Sequence, residues 1–153
     1  MMQEKAVELN ELWETARYRE IASVAFYTAG QAQTDDPGAR ALMKRLAAEE
    51  TKHLRWLTEY QKHGDISSRP EKVRDLMASE YFTGADSLEG AGLQQTLVFA
   101  IKREQQAVDF YTRMTAIMTT AAGKVLCEQL ASQELRHKIK LELLYERLFL
   151  KED

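Results

Sequence analysis

Ala47-Ala48-Glu49-Glu50-Thr51-Lys52-His53 recurs in altered form as Ala131-Ser132-Gln133-Glu134-Leu135-Arg136-His137. Each copy carries a Glu and, three residues later, a His. On a helix that spacing stacks the two side chains on one face a turn apart, so a carboxylate and an imidazole can converge on one ion. A single Glu-x-x-His is weak, because Glu-rich helices produce it by chance and it commonly means a solvated hydrogen bond. Two copies at an offset of 84 residues carry more, since the same offset relates Glu20 to Glu104, Phe26 to Phe110, Tyr27 to Tyr111 and Thr28 to Thr112. Apolar residues follow it too: Leu9 and Leu93, Ala16 and Ala100, Val24 and Val108, Leu42 and Leu126, Leu46 and Leu130, Leu57 and Leu141. The chain reads as a degenerate tandem repeat.

The polar matches decide what the repeat is for, since matches confined to Leu and Val would say only that both halves pack. Glu20/Glu104, Glu50/Glu134 and His53/His137 lie in phase with residues that face a core. Four carboxylates buried together without cations cost several kcal/mol per charge, or are forced to protonate. Two divalent cations neutralise them.

The 153 residues are most simply one domain, 1–153, long enough for a substantial core. A formal net charge of -3 and a pI near 5.7 give no electrostatic reason to expect nucleic acid or a basic membrane-surface helix as partner. No apolar run approaches the roughly 18 residues of a membrane span. Charged helical sequence follows Met1-Met2-Gln3-Glu4-Lys5 with no apolar signal core, so a cytoplasmic location is expected. Cys127, the only cysteine, excludes an internal disulfide and any metal site built from several thiolates of this chain. Its neighbours Leu126 and Leu130 suggest a buried thiol that fills space.

Apolar residues at Val7, Leu9, Trp13, Ala16, Val24 and Tyr27 predict one long amphipathic helix from Gln3 to about Ala32, with Glu20 on its stripe. Asp36 can cap the next helix and Pro37 suits its first turn. That helix should run to His63, with Leu42, Leu46, Glu50, His53, Leu57 and Tyr60 on one face, and Gly64 ends it. His63 then sits favourably at a helix C-terminus. The segment 64–86, with a short helix expected from Pro70 to Ser79, is the one long connection. About 20 residues in part extended can cover the roughly 40 Å of a helix of this length, so the second and third helices can run parallel.

A third helix should begin between Ser87 and Leu93 and reach about Met118, its inner stripe Leu93, Leu97, Ala100, Glu104, Val108, Tyr111 and Thr115. After Thr119-Thr120 a fourth should run to about Phe149, with Leu126, Leu130, Glu134, His137, Leu141, Leu144 and Leu148 inward. The fold class expected is therefore an all-α four-helix bundle of two hairpins, 1–63 and 87–150. In an antiparallel hairpin, residues equidistant from the turn lie at one height. Glu20 and Glu50 are centred on Asp35, and Glu104 and Glu134 on Thr119, so all six polar residues can meet at one level.

A Glu from each of two helices plus Glu-x-x-His from each of the other two is the ligand pattern of ferritin-like di-iron and di-manganese carboxylate proteins. With its two Glu-x6-Tyr elements, Glu20 to Tyr27 and Glu104 to Tyr111, the chain resembles a rubrerythrin-type ferritin-like domain over most of its length. The resemblance implies two iron ions, with Glu50 and Glu134 bridging, Glu20 and Glu104 terminal, and His53 and His137 on one ion each. Manganese or zinc suits the same donors. Tyr27 and Tyr111 lean back toward the metal level, where they either hydrogen-bond carboxylates on facing helices or fill the core with their hydroxyls on any nearby acceptor. Trp13, Phe26 and Phe110 read as packing. Trp56, whose repeat partner is Lys140, reads as outward-facing and a candidate partner surface.

Two departures from that family matter. The chain cannot build the cysteine-held rubredoxin-like module of full-length rubrerythrins, so a separate electron-donor protein or small reductant is implied. The extra carboxylate usual one turn beyond the third-helix ligand is Ala107 here. The function implied is reduction of hydrogen peroxide at a di-iron site in defence against oxidative stress, in a homodimer. Two alternatives use dioxygen or peroxide differently: oxidation of ferrous ions on their way to storage, and oxygenation of an organic substrate.

Overall fold

The computed structural model describes residues 2–63, 88 and 90–150, with the side chains of 2–9 left aside. The described residues form four helices and no strand: α1 (Met2–Ala32), α2 (Pro37–His63), α3 (Leu93–Ile117) and α4 (Ala121–Tyr145), the last running into a wider π-helical turn at Glu146–Leu150. The expected short helix over 70–79 lies outside the described residues.

The two short connections are built by capping. Asp36 Oδ2 accepts the Ala39 N–H at 2.8 Å, Pro37 fills the first helical position, and the Arg40 guanidinium donates to the Thr34 carbonyl. Thr120 does the same for α4, its hydroxyl accepting the Gly123 N–H at 3.1 Å. Gly90, with φ of +75°, turns the chain into α3 in a backbone region that side chains avoid.

Helix directions follow from what touches at each end. At one end Gly30, late in α1, packs so closely on Met43 of α2 that an added Cβ would meet its sulfur at 2.5 Å, with Thr96 of α3 beside it. At the other end Gln61 of α2 reaches Asn10 of α1, and the Tyr60 hydroxyl lies 3.3 Å from Thr120. Both α2 and α3 therefore start near the Gly30 end and run parallel.

The interior is layered. One apolar cluster holds Leu12, Trp13, Leu57, Phe110, Met114, Cys127 and Leu130, and a second holds Phe26, Met43, Leu46, Leu97, Ala100, Leu141 and Leu144. Between them lie Glu20, Glu50, His53, Glu104, Glu134 and His137, all buried. Each large apolar side chain in the flanking clusters contributes about 1.5–3 kcal/mol on burial. That packing holds closed a polar layer which on its own would draw in water. The stripe read from sequence is narrower than the true core: Leu42, Val108 and Leu126 are only half-buried, whereas Met43, Phe110 and Cys127 are fully inside.

Candidate metal centre

Each helix brings its polar residues to the same height: Glu20 on α1, Glu50 and His53 on α2, Glu104 on α3, Glu134 and His137 on α4. They fall into two sets of four. In one, donor atoms of Glu20, Glu50, His53 and Glu134 all lie within 4.8 Å of one another, and in the other Glu50, Glu104, Glu134 and His137 do so. Glu50 and Glu134 belong to both sets. Each set adds one carboxylate and one imidazole of its own.

The donor atoms face inward without hydrogen-bond partners. His137 Nδ1 lies 2.8 Å from Glu50 Oε1 and 3.1 Å from Glu134 Oε1, and His53 Nδ1 lies 3.2 Å from Glu134 Oε1. None of these approaches has the direction of a hydrogen bond, so both Nδ1 atoms, both oxygens of Glu50 and one oxygen each of Glu20, Glu104 and Glu134 are buried and unpaired. Buried polar atoms are otherwise almost always satisfied. Seven such atoms converging from four helices fit a pair of cations, and oxygen-rich sets with one imidazole each suit iron or manganese.

Protonation shows the same need for positive charge. Burial pushes the Glu50 carboxyl well above the usual carboxylate range, with Glu134, Glu20 and Glu104 adding to it. Glu104 is raised to about 7, chiefly by burial and then by Glu134. Burial acts on Glu134 in the same direction but is outweighed by its contacts with His137 and His53, which hold it below the carboxylate range. Burial likewise opposes charge on the imidazoles, yet contact with Glu134 and Glu20 takes His53 to about 11, and contact with Glu104 and Glu134 takes His137 to about 10. Without cations, protons do part of the neutralising.

Around this layer the two halves lock each other. The Tyr27 hydroxyl donates to Glu104 Oε1, and the Tyr111 hydroxyl donates to Glu20 Oε1 at 2.6 Å. Of the two readings of these tyrosines, the structure therefore shows the one in which they hold carboxylates on facing helices. The Arg103 guanidinium lies over Phe26 at 5.0 Å and the Arg19 guanidinium over Phe110 at 5.4 Å, while Phe26 and Phe110 meet Tyr27 and Tyr111 edge-on. Each tyrosine is thus backed by a ring and a cation.

Three other residues are placed by the structure. Trp56 is not an outward side chain: it is half-buried, its ring 5.4 Å from that of His53, with the Lys52 ammonium over the ring 5.2 Å from its centroid. The outward reading rested on its repeat partner being a lysine, which says nothing about how a large ring covers an imidazole one turn away. Cys127 is buried in an apolar cluster, which pushes its thiol up to about 12. Exposed His63 ends α2, 3.8 Å from Glu59. Sequence reading also passed over Glu49 and Gln133, whose side chains accept the Nε2–H of His137 and His53 at 2.5 and 2.7 Å. The signal was present in the repeat, since the two occupy equivalent positions beside Glu50 and Glu134.

A bundle of two antiparallel helical hairpins around a buried carboxylate and imidazole layer fits the ferritin-like class. No family model matches the chain. The chain is similar to 3-demethoxyubiquinol 3-hydroxylase of Bordetella pertussis, with 27% identity over 130 residues covering 80% of this chain and 55% of that protein. The same-named protein of Bordetella parapertussis is 26% identical over the same coverage. The chain thus spans about half the length of the curated relatives it matches. A solved hypothetical protein from Pyrococcus furiosus shares the fold, with a TM-score of 0.69 at 20% identity over 90% of this chain and 88% of that one. The Bordetella relatives carry the name of a hydroxylase and not of a rubrerythrin or a peroxidase. Among the described residues no helix is long and apolar enough to cross a membrane.

Proposed function

We propose that the chain holds two iron ions and uses them to hydroxylate an apolar organic molecule, a quinol of the demethoxyubiquinol type being the first candidate. The observation that carries the reading is the pair of four-residue donor sets sharing Glu50 and Glu134. Hydroxylation is favoured over the peroxide reduction expected at first because the relatives are named hydroxylases. An apolar groove of about 400 Å³ adds to it, lined by Tyr18, Ile21, Ala25, Phe26 and Leu88. Phe26 forms the inner wall of that groove and touches Tyr27, which holds Glu104. One ring pair therefore separates bound substrate from the carboxylate layer.

Iron in this layer would supply dioxygen activation, in which dioxygen, two electrons and two protons put one oxygen atom into a C–H bond and release the other as water. Glu50 and Glu134 would hold both ions at once, Glu20 with His53 and Glu104 with His137 one each. Tyr27 and Tyr111 keep the terminal carboxylates in one orientation, and the Nε2–H bonds of the histidines keep Nδ1 free for the ions. Flanking apolar clusters exclude water from the layer. The two electrons would come from a reductant outside the carboxylate layer.

The test loads the protein anaerobically with ferrous iron and supplies a short-tailed demethoxyubiquinol, a chemical reductant and oxygen-18 gas. One labelled oxygen per product molecule is expected. Unlabelled quinol with repeated turnover of peroxide would assign the site to peroxide reduction, and ferric product far in excess of the bound iron would assign it to iron handling.

A further inference from the structure

Three kinds of link, each made twice, bind the two halves around the polar layer, and two of them obey the repeat while the third breaks it in one residue. Tyr27 to Glu104 and Tyr111 to Glu20 are the same interaction twice, as are the Arg103–Phe26 and Arg19–Phe110 stacks. The histidines are held in the same geometry too, each donating Nε2–H to the residue that precedes the shared Glu of the other half. The acceptor differs: His137 donates to the Glu49 carboxylate at 2.5 Å, His53 to the Gln133 amide at 2.7 Å. Arg45 lies 3.6 Å from the other Glu49 oxygen, so the carboxylate is fixed between a guanidinium and the imidazole.

From this we infer that Glu49 is a positioning residue that makes the two metal sites unequal, the site of His137 binding its ion more tightly than the site of His53. A carboxylate acceptor draws the Nε2 proton toward itself and makes Nδ1 a better donor to a cation, whereas an amide orients the ring with little added basicity. Loss of such an outer partner costs about 10–100-fold in metal affinity. The same two ligand sets therefore fill in order, first the one containing Glu104 and His137, then the one containing Glu20 and His53. This inference rests on the two-metal reading proposed above.

The experiment uses cobalt(II) on the metal-free full chain, in stepwise titration and in crystals prepared with one equivalent, where anomalous scattering locates the ion. Wild type should show two steps about 10-fold or more apart, with the first ion beside His137. Glu49→Gln should bring the steps together by weakening the first. Gln133→Glu should bring them together by strengthening the second, which keeps the test decisive if the other variant folds poorly. The double variant Glu49→Gln/Gln133→Glu should move the first ion beside His53, an exchange that a merely structural role for these side chains would not produce. Equal peaks in wild type, or a peak that stays beside His137 in the double variant, would overturn the inference while leaving the metal centre intact. No cobalt uptake at all would remove the centre and the inference with it.

Discussion

The two hairpins carry the same polar layer and differ outside it. At the polar layer the first offers Glu20, Tyr27, Glu50 and His53, and the second Glu104, Tyr111, Glu134 and His137, bonded across the bundle in matching pairs. One step outward the correspondence fails. Trp56 covers His53 where the second half has Lys140, Glu49 stands opposite Gln133, and the turns are capped by Asp36 in one half and Thr120 in the other. An interior that must present charge-matched donors from four helices leaves little freedom to a residue. A rim needs only to close over it, and different side chains do that equally well.

The comparison is broken most severely at the two residues that belong to both donor sets. Glu50→Ala or Glu134→Ala should abolish binding of both ions, whereas Glu20→Ala or Glu104→Ala should remove or weaken one, as metal analysis after dialysis would show. Matching losses for all four variants would mean that the halves do not share their ligands.

Acidity sharpens the same contrast between bound and ion-free layers. His53 and His137 reach about 11 and about 10 in place of the usual 6.5, so in the ion-free protein they are protonated at neutral pH. Each must give up its proton when an ion binds, and metal affinity therefore rises with pH through the neutral range. Titrations in buffers of different ionisation enthalpy would count the protons released. Ion-free stability moves the other way. Because both folded values are raised, the contribution of the protonated rings is full below about 6.5 and is lost as pH climbs through 10 to 11. Metal-loaded protein, its rings already proton-free, should show no such loss in melts taken across that range.

Much of this interior was legible in the sequence, for a physical reason. Glu20/Glu50 and Glu104/Glu134 straddle their turns symmetrically, and in an antiparallel hairpin that symmetry alone fixes a common height. The start of α2 followed from Asp36 and Pro37, whose chemistry at helix starts is local. What the sequence hid was set by contact between helices distant in the chain. Met43 is in phase with Leu46, Glu50, His53 and Leu57 and was passed over for its neighbour Leu42, while its close packing on Gly30 of α1 is a contact that no local pattern marks. Trp56 against His53 is instead a contact within α2, one turn apart, which comparison with Lys140 of the other half obscured. Glu49 and Gln133 read as surface residues of a charged helix, and only the crossing of α2 and α4 reveals whose histidine each one holds.

The tyrosine pair tests whether the halves are equal in energy as well as in geometry. Tyr27→Phe leaves Glu104 Oε1 without its donor, and Tyr111→Phe does the same to Glu20 Oε1, at a buried site where water cannot substitute. Each should lose about 1–3 kcal/mol in urea unfolding of the ion-free protein, and the two losses should agree within error. With ions bound, the carboxylates are held from the metal side and the penalty should shrink in both variants. The caps give the smallest effect: Asp36→Ala and Thr120→Ala should each cost about 0.5–2 kcal/mol, ions bound or not, because a turn outside the layer does not sense what the layer holds. If a cap variant instead changed metal affinity, the interior and the rim would be coupled, and the freedom of the outer positions would need another explanation than simple closure.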